Sequence, residues 1–336
     1  MRFIHLADAH LADNSTFSDD LGSFIRKNTW QSFENIFATN KDVDFALIAG
    51  DLFERSYFSS KDFARLFAIF EEFGKDIYYV TGNHDYFDSY NKIFLNQKPN
   101  NLHIFTSEKL SMFENERVRI YGLSYTDRIY AGDFPYDISL DRDYYNILLA
   151  HGDISDSPTN YLDLDKDKLS QVGFDYVGLG HIHKARSYKN IHYPSSIEPR
   201  SFADTENFGY ILYDNGKLSH INSNLMEFKT FDLSYDDFAD ENALIEYVNQ
   251  NLSTKKNILR LNIRSRDSIN SKNIQNQLRA DFSYVSIDQS LDMENLSRLY
   301  PNTLLSKFEE SLMDKNDEIS KLALKLGYDA ILRSKK

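Results

Sequence analysis

Residues 77–85 read IYYVTGNHD, a four-residue apolar run that Thr81 and a Gly-Asn-His-Asp tetrad follow. Apolar runs this short are typical of strands buried on both faces of a sheet. Ligands at the C-terminal ends of strands are the usual site geometry of open α/β sheets. Four other runs follow the same plan and lead into metal-binding residue types: Arg2–Leu6 before Asp8 and His10, Phe45–Ala49 before Asp51, Tyr144–Ala150 before His151, and Tyr176–Leu179 before His181 and His183.

The segments between and after these runs predict the rest of the fold. Lys61–Phe73 has apolar residues at helical spacing, with Ser59 or Ser60 available as an N-cap and Gly74 available to end the helix. After about residue 110, strand-like segments and the turn at 214–216 predict a second sheet. We therefore predict an α/β (α+β) two-sheet sandwich flanked by helices at 1–222, a small α/β domain at 223–290 and a C-terminal helical segment at 291–336.

Composition limits the classes of protein to which the chain can belong. It has 336 residues, no cysteine and a formal net charge of −13, so any metal must be held by oxygen and nitrogen ligands. No apolar run approaches the roughly 20 residues of a membrane span, and no signal peptide precedes the first strand-like run, so we expect a cytoplasmic protein. Acidic charge alone argues against nucleic acid, but two divalent ions or a basic partner subunit would offset it.

The spacing of the polar residues predicts how they share metal ions. Asp8 and His10 are two apart at a strand end and can reach one ion, because alternate strand residues point the same way. The carboxylate of Asp51 can bridge two ions, and Asn83 offers a neutral oxygen. His84 and Asp85 remain for catalysis. This ligand set favours Mn²⁺ or Fe²⁺, with Zn²⁺ possible and Mg²⁺ less favoured because of the histidines.

These five motifs resemble the calcineurin-like metallophosphoesterase superfamily. Within it, three segments are similar to the SbcD-type DNA repair exonuclease subunit, in particular to its short bacterial members: FIHLADAHL at 3–11, AGDLF at 49–53 and YPSSIEPR at 193–200. The strong part of the resemblance covers roughly residues 1–215. The unit at about 225–290 is similar in size and position to the DNA-capping domain of that family.

The resemblance implies a ligand set and a mechanism. One ion would be held by Asp8, His10, Asp51 and His183, and the second by Asp51, Asn83, His151 and His181. His84 would act near the leaving oxygen, and Asp85 would orient it. At Glu54, three residues after the bridging aspartate, the nucleases often have histidine or aspartate, which puts the usual role of that position in doubt here.

The resemblance also implies a substrate and partners. The protein would be a DNA exonuclease or endonuclease that works on DNA ends in the nucleoid with an SMC-like ATPase of the SbcC type, as a possible homodimer. Lys184, Arg186 and Arg200 lie near the predicted metal face and are candidates for phosphate contacts, although ordinary surface charge is the simpler interpretation. The alternatives are a phosphodiesterase acting on nucleotides or phosphoproteins, and a scaffold built on an inactive phosphoesterase fold.

Overall fold

The computed structural model describes residues 1–13, 19–88, 95–154, 159–204, 207–265, 269–288 and 303–312, together with positions 319, 323, 326 and 327. The chain divides into two compact units, Met1–Phe228 and Lys229–Lys336. Within the described residues, no helix is both long enough and apolar enough to span a membrane. The three-part domain division at 222 and 290 stays a prediction.

The first sheet of the N-terminal unit has six strands and contains three of the predicted apolar runs. Its strands are, in spatial order, β12 (Lys217–Asn222), β11 (Gly209–Asp214), β1 (Arg2–Leu6), β2 (Phe45–Ala49), β3 (Asp76–Val80) and β4 (Leu102–Ile104). The four strands β1 to β4 are parallel, whereas β11 runs antiparallel to β1. The polar residues that follow β1, β2 and β3 therefore leave the sheet at the same edge.

The second sheet contains the other two apolar runs. Its spatial order is β5 (Ser111–Asn115), β6 (Val118–Gly122), β7 (Tyr145–His151), β8 (Tyr176–Gly180), β10 (Ile191–Tyr193) and β9 (Arg186–Tyr188). Strands β6, β7 and β8 are parallel. The short strands β9 and β10 form an antiparallel pair that the sequence patterns did not single out.

Helices cover the outer faces of the two sheets. They are α1 (Asp19–Thr39) and α2 (Ser60–Phe73) beside the first sheet, and α3 (Lys166–Val172) beside the second. Helix α2 begins at the N-cap Ser59, which forms a capping box with Asp62, and it ends at Gly74 in the left-handed conformation. Its predicted apolar stripe is buried, so the sequence prediction for this helix is confirmed.

Three clusters of buried side chains show how the layers pack. One lies between the sheets and joins Phe3 and Leu47 of the first sheet to Ile147 and Tyr176 of the second. The second lies between the first sheet and helices α1 and α2, and the third lies on the outer face of the second sheet. The predicted two-sheet sandwich flanked by helices is therefore confirmed.

The C-terminal unit has a three-stranded sheet of its own, and its strands in spatial order are β13 (Met226–Ser234), β14 (Lys256–Arg264) and β15 (Phe282–Asp288). It also contains a short 3₁₀ helix (Tyr235–Asp237), α4 (Glu241–Gln250), α5 (Ser271–Gln277) and α6 (Leu304–Glu310). Strands β14 and β15 are parallel and flank α5 in sequence, which makes a βαβ arrangement. Most of the predicted helical segment at 291–336 lies outside the described residues.

Candidate metal centre

The C-terminal ends of strands from both sheets meet at one place. In the first sheet Leu6 of β1 pairs in register with Ile48 of β2, and in the second sheet His151 of β7 pairs in register with Gly180 of β8. Two hydrogen bonds join the sheets there. The imidazole Nδ1 of His151 lies 2.9 Å from the carbonyl oxygen of Ala49, and the backbone N–H of His181 donates to Asp8 Oδ1 at 3.0 Å. Polar residues from five separate strand ends are thereby brought into one site.

The predicted ligands form overlapping groups of donor atoms. Three sets have ligand atoms within 4.8 Å of one another: Asp8 with His10 and His183, Asp8 with Asp51 and His151, and His10 with Asp51 and His84. Asn83 joins the second set, because its Oδ1 lies 3.1 Å from His151 Nε2. The ring of His181 lies beside His151, with centroids 5.3 Å apart. All seven residues predicted as ligands are thus at one centre, with Asp51 shared between sets.

The hydrogen bonds of two histidines show that this centre suits a cation. Ala49 O and Glu54 Oε1 only accept, so His151 Nδ1 and His10 Nδ1 must carry the protons. His10 is neutral, so its Nε2 has a lone pair, whereas His151 binds a second proton at Nε2 because its pKa is raised to about 9. His151 Nε2 faces Asp51 Oδ2 at 3.3 Å, and His10 Nε2 faces His183 Nε2 at 3.2 Å. The positive charge that His151 carries beside Asp51 is one that a divalent ion can replace, and the lone pair of His10 Nε2 is available to coordinate such an ion.

Burial sets the protonation of these groups. It lowers the pKa of His10 to about 3 and the pKa of His181 and His183 to about 4, so these rings are in the neutral form that binds metals. Burial also disfavours the charged form of His151, but the carboxylates of Asp51 and Asp8 outweigh it and raise its pKa to about 9. The carboxylates of Asp51 and Asp8 therefore favour a positive charge inside the centre.

The backbone at the centre is strained. Asp8, His10, Asp51 and His181 have φ angles of 52°, 45°, 49° and 97°, in a region that residues with a side chain seldom adopt. Strain of this kind costs about 1–3 kcal/mol per residue and is found mainly at functional sites. Here the four strained residues follow three strand ends, those of β1, β2 and β8, and their side chains lie at the same centre.

Close packing at Gly180 gives a first prediction. A Cβ atom at this position would lie 1.9 Å from the carbonyl oxygen of Ala49 and 2.9 Å from His151 Nδ1. We expect Gly180→Ala to push the two sheet edges apart, to lower stability by about 3 kcal/mol or more, and to weaken metal binding. Thermal unfolding and metal content check this. Gly132→Ala, at an exposed position where the nearest atom would be 3.3 Å away, is the matched control. Equal melting temperatures for the two variants would contradict the prediction.

His84 lies at the rim of the centre and is held by Glu54. Its Nδ1 is 2.8 Å from Glu54 Oε2, while Glu54 Oε1 lies 2.8 Å from His10 Nδ1. Burial opposes protonation of His84, but the hydrogen bond to Glu54 and the charges of Asp51 and Glu54 outweigh it, so the pKa of His84 is raised. One carboxylate thus orients both a predicted ligand and the predicted catalytic histidine.

Asp85 has a different role from the one predicted. Its buried carboxylate accepts hydrogen bonds from the backbone N–H groups of Gly82, Asp51 and Leu52 and from the hydroxyl of Tyr79, at 2.5–3.2 Å. These donors hold the loops after β2 and β3 together. The prediction that Asp85 orients His84 is wrong, because its oxygens are occupied by these donors and Glu54 contacts the imidazole instead.

The three predicted phosphate contacts differ in their surroundings. The guanidinium of Arg200 lies at the centre, where it donates to Asp13 at 2.8 Å and to Glu54 at 3.2 Å. Lys184 is exposed and follows the ligand His183, whereas Arg186 is exposed on β9. Their contact with phosphate stays a prediction. Asp13 and Glu54 were not predicted as site residues, although Glu54 stood out at the third position after the bridging aspartate.

Comparisons with known proteins found one family and several similar proteins. The calcineurin-like phosphoesterase family matches residues 1–185. YhaO, an uncharacterized metallophosphoesterase of Bacillus subtilis (strain 168), is 32% identical over 249 residues, which cover 66% of this chain and 59% of that protein. The chain thus spans less than two thirds of the length of this relative. A dimetal phosphatase from Danio rerio is similar at 11% identity and a TM-score of 0.41, over 63% of this chain and 91% of that structure.

The matched range includes all seven predicted ligands, which lie at or within four residues after a strand end. Members of the family hydrolyse phosphoesters with two divalent metal ions, and the Asp and His clusters described above are able to bind such ions. The chain therefore belongs to the calcineurin-like phosphoesterase family of metal-dependent hydrolases.

Proposed function

We propose that the protein is a two-metal DNA nuclease that hydrolyses phosphodiesters. The observation that carries the hydrolytic part is the set of Asp and His donor atoms around Asp51, which is able to bind divalent ions, with His84 beside it. The DNA substrate is supported by the three segments that resemble SbcD-type nucleases. Arg200, which ends the third of them, lies in the centre beside Glu54.

Each residue of the centre then has a task. Asp8, His10, Asp51 and His183 would hold one ion, and Asp51, Asn83, His151 and His181 would hold the other, with Mn²⁺ favoured by this mixture of imidazole, carboxylate and amide ligands. When bound, the ions activate water and stabilise the charge that develops on the phosphoryl oxygens.

His84 is placed to complete the reaction. Its Nδ1 donates to Glu54, so protonation at Nε2 gives an acid for the leaving oxygen. Glu54 stabilises this protonated form through its own charge. Arg200 adds a fixed positive charge near the same carboxylate.

Partners follow from the same resemblance. We propose that the nuclease works on DNA ends in the nucleoid of the cytoplasm, with an SMC-like ATPase of the SbcC type and as a homodimer. The small α/β unit at about 225–290 would then cap the DNA.

One observation favours a second candidate, a phosphodiesterase for nucleotides or phosphoproteins. The chain carries a formal net charge of −13, which opposes long-range attraction of polyanions. A small substrate is less sensitive to that repulsion than a DNA strand.

The substrate is tested with purified protein and Mn²⁺. We expect cleavage of a linear DNA duplex or a single-stranded oligonucleotide as well as of an aryl phosphodiester, and no cleavage after chelation with EDTA. Hydrolysis of the aryl phosphodiester with both DNA substrates left intact would contradict the nuclease and favour the second candidate. No turnover of any substrate, with no bound metal, would favour an inactive scaffold.

A further inference from the structure

A surface cleft of about 540 Å³ lies between helices α1 and α2. It is lined by Arg26, Lys27 and Trp30 of α1, by Asp62 and Arg65 of α2, and by Tyr57 before α2. We call this the basic cleft. With Ala12, seven residues line it, of which three are cationic and one is anionic, in a chain whose formal net charge is −13. A positive cleft on an acidic protein indicates attraction of an anion at that place.

The acidic side chains at the basic cleft already have hydrogen-bond or ion-pair partners. The carboxylate of Asp62 accepts from the N–H and hydroxyl of Ser59 in the cap of α2, at 2.8 and 2.5 Å. Glu34 forms an ion pair with Arg65 at 2.7 Å. Lys27 is exposed, and in the part of the chain that the structure describes no carboxylate lies within 4.0 Å of its ammonium group. The positive charge of Lys27 is therefore available to a ligand.

The aromatic groups at the basic cleft suit nucleic acid. Tyr57 is 53% exposed, a large value for an aromatic side chain. The guanidinium of Arg65 lies 4.5 Å from the centroid of the Trp30 ring, which holds that cation in place. Trp30 is buried, so Tyr57 is the aromatic ring that the cleft exposes, and an exposed ring beside cationic side chains is the combination by which proteins bind the bases and phosphates of single strands.

The basic cleft lies next to the metal centre. Ala12 also lines it, two residues beyond the predicted ligand His10, and two residues span at most about 7 Å. The following residue, Asp13, accepts a hydrogen bond from Arg200, which also donates to Glu54. A strand with one phosphate at the metals would therefore reach the basic cleft with phosphates a few nucleotides away.

We propose that the basic cleft binds the flanking phosphates of a nucleic-acid strand whose scissile phosphate lies at the metal centre. The substrate class is then a polynucleotide and not a mononucleotide or a phosphoprotein. This inference rests on the proposed nuclease function for the position of the scissile phosphate. It explains how an acidic chain attracts a polyanion, since the attraction is local to the cleft.

The test is inhibition of aryl phosphodiester hydrolysis by a single-stranded oligonucleotide, using the Mn²⁺-loaded full chain. We expect Lys27→Glu to raise the inhibition constant of the oligonucleotide about tenfold, and Tyr57→Ala to raise it several-fold. Hydrolysis of the aryl ester alone should be unchanged in both. Lys217→Glu is the matched control, because Lys217 is exposed and far from the metal centre. It pairs in register with Asp214, which pairs with Arg2. Arg2 is at the end of β1 opposite to the metal centre.

The possible results distinguish failure of nucleic-acid binding at the basic cleft from failure of the proposed nuclease activity. Equal inhibition constants for Lys27→Glu and Lys217→Glu, or no inhibition of the unmodified protein, would overturn the proposal. An oligonucleotide that inhibits through the cleft and is left uncut would keep the binding site while contradicting the nuclease activity.

Discussion

In an Asp51→Ala variant we expect both metal ions to be lost and kcat for the aryl phosphodiester to fall by about three orders of magnitude or more. Asp51 belongs to two of the three donor groups, with Asp8 and His151 in one and with His10 and His84 in the other. Its Oδ1 also accepts the backbone N–H of His84 at 2.9 Å. Removal of this carboxylate therefore weakens both ion sites and the loop that carries His84.

Metal content by elemental analysis, together with kcat, measures this effect. Asp143→Ala is the control, because Asp143 is exposed in the loop before β7. We expect the control to keep both ions and full activity. If Asp51→Ala kept one ion at full occupancy, Asp51 would not be shared between the two sites.

In a His84→Ala variant we expect kcat to fall by about 10²- to 10⁴-fold while both metal ions remain bound. His84 is oriented by Glu54 at the rim of the centre, and neither of the predicted four-ligand sets needs it. The variant should lose the acid for the leaving oxygen and little else. The loss should be smaller for a substrate with a good leaving group, such as a nitrophenolate, than for DNA.

Glu54→Gln gives a matched comparison. A glutamine has one acceptor oxygen, so it can accept from the Nδ1 of His84 or of His10 but not from both. We expect an intermediate loss of activity, about 10- to 100-fold, with weaker metal binding through His10. Loss of metal in His84→Ala, with metal retained in Glu54→Gln, would show that His84 is a ligand and that its catalytic assignment is wrong.

Much of the fold could be predicted from the sequence, because the pattern of apolar residues within a short segment determines whether that segment is a strand or a helix. The runs at 2–6, 45–49 and 176–179 are strands, and the capped stripe at 61–73 is a helix, since burial and hydrogen bonding of a few neighbouring residues decide both. The short strands β9 and β10 were missed. Their three residues each are too few to show a period.

The sequence could predict those site residues whose position follows from the direction of the strands before them. Ligand types directly after buried strands converge because parallel strands end at one edge, and the structure brings Asp8, Asp51 and His151 within 4.8 Å. The role of Glu54 was not predictable from spacing. Its two imidazole partners lie 44 and 30 residues away in sequence, so the contact exists only after folding.

The assignment of Asp85 failed for a related reason. Its position next to His84 in sequence suggested that it orients the imidazole, but adjacent side chains diverge. A fully buried carboxylate needs several donors, and the backbone N–H groups of the loops after β2 and β3 supply them. Interactions between the loops of different strands decided this role.

The central claim is a centre of two metal ions that share Asp51. The most direct measurement is anomalous X-ray diffraction from crystals of the Mn²⁺-loaded protein, recorded at the manganese absorption edge. We expect two peaks, both within coordination distance of the Asp51 carboxylate, one bound also by His10 and His183 and the other by His151 and Asn83. A single peak, or a second peak that does not contact Asp51, would contradict this claim.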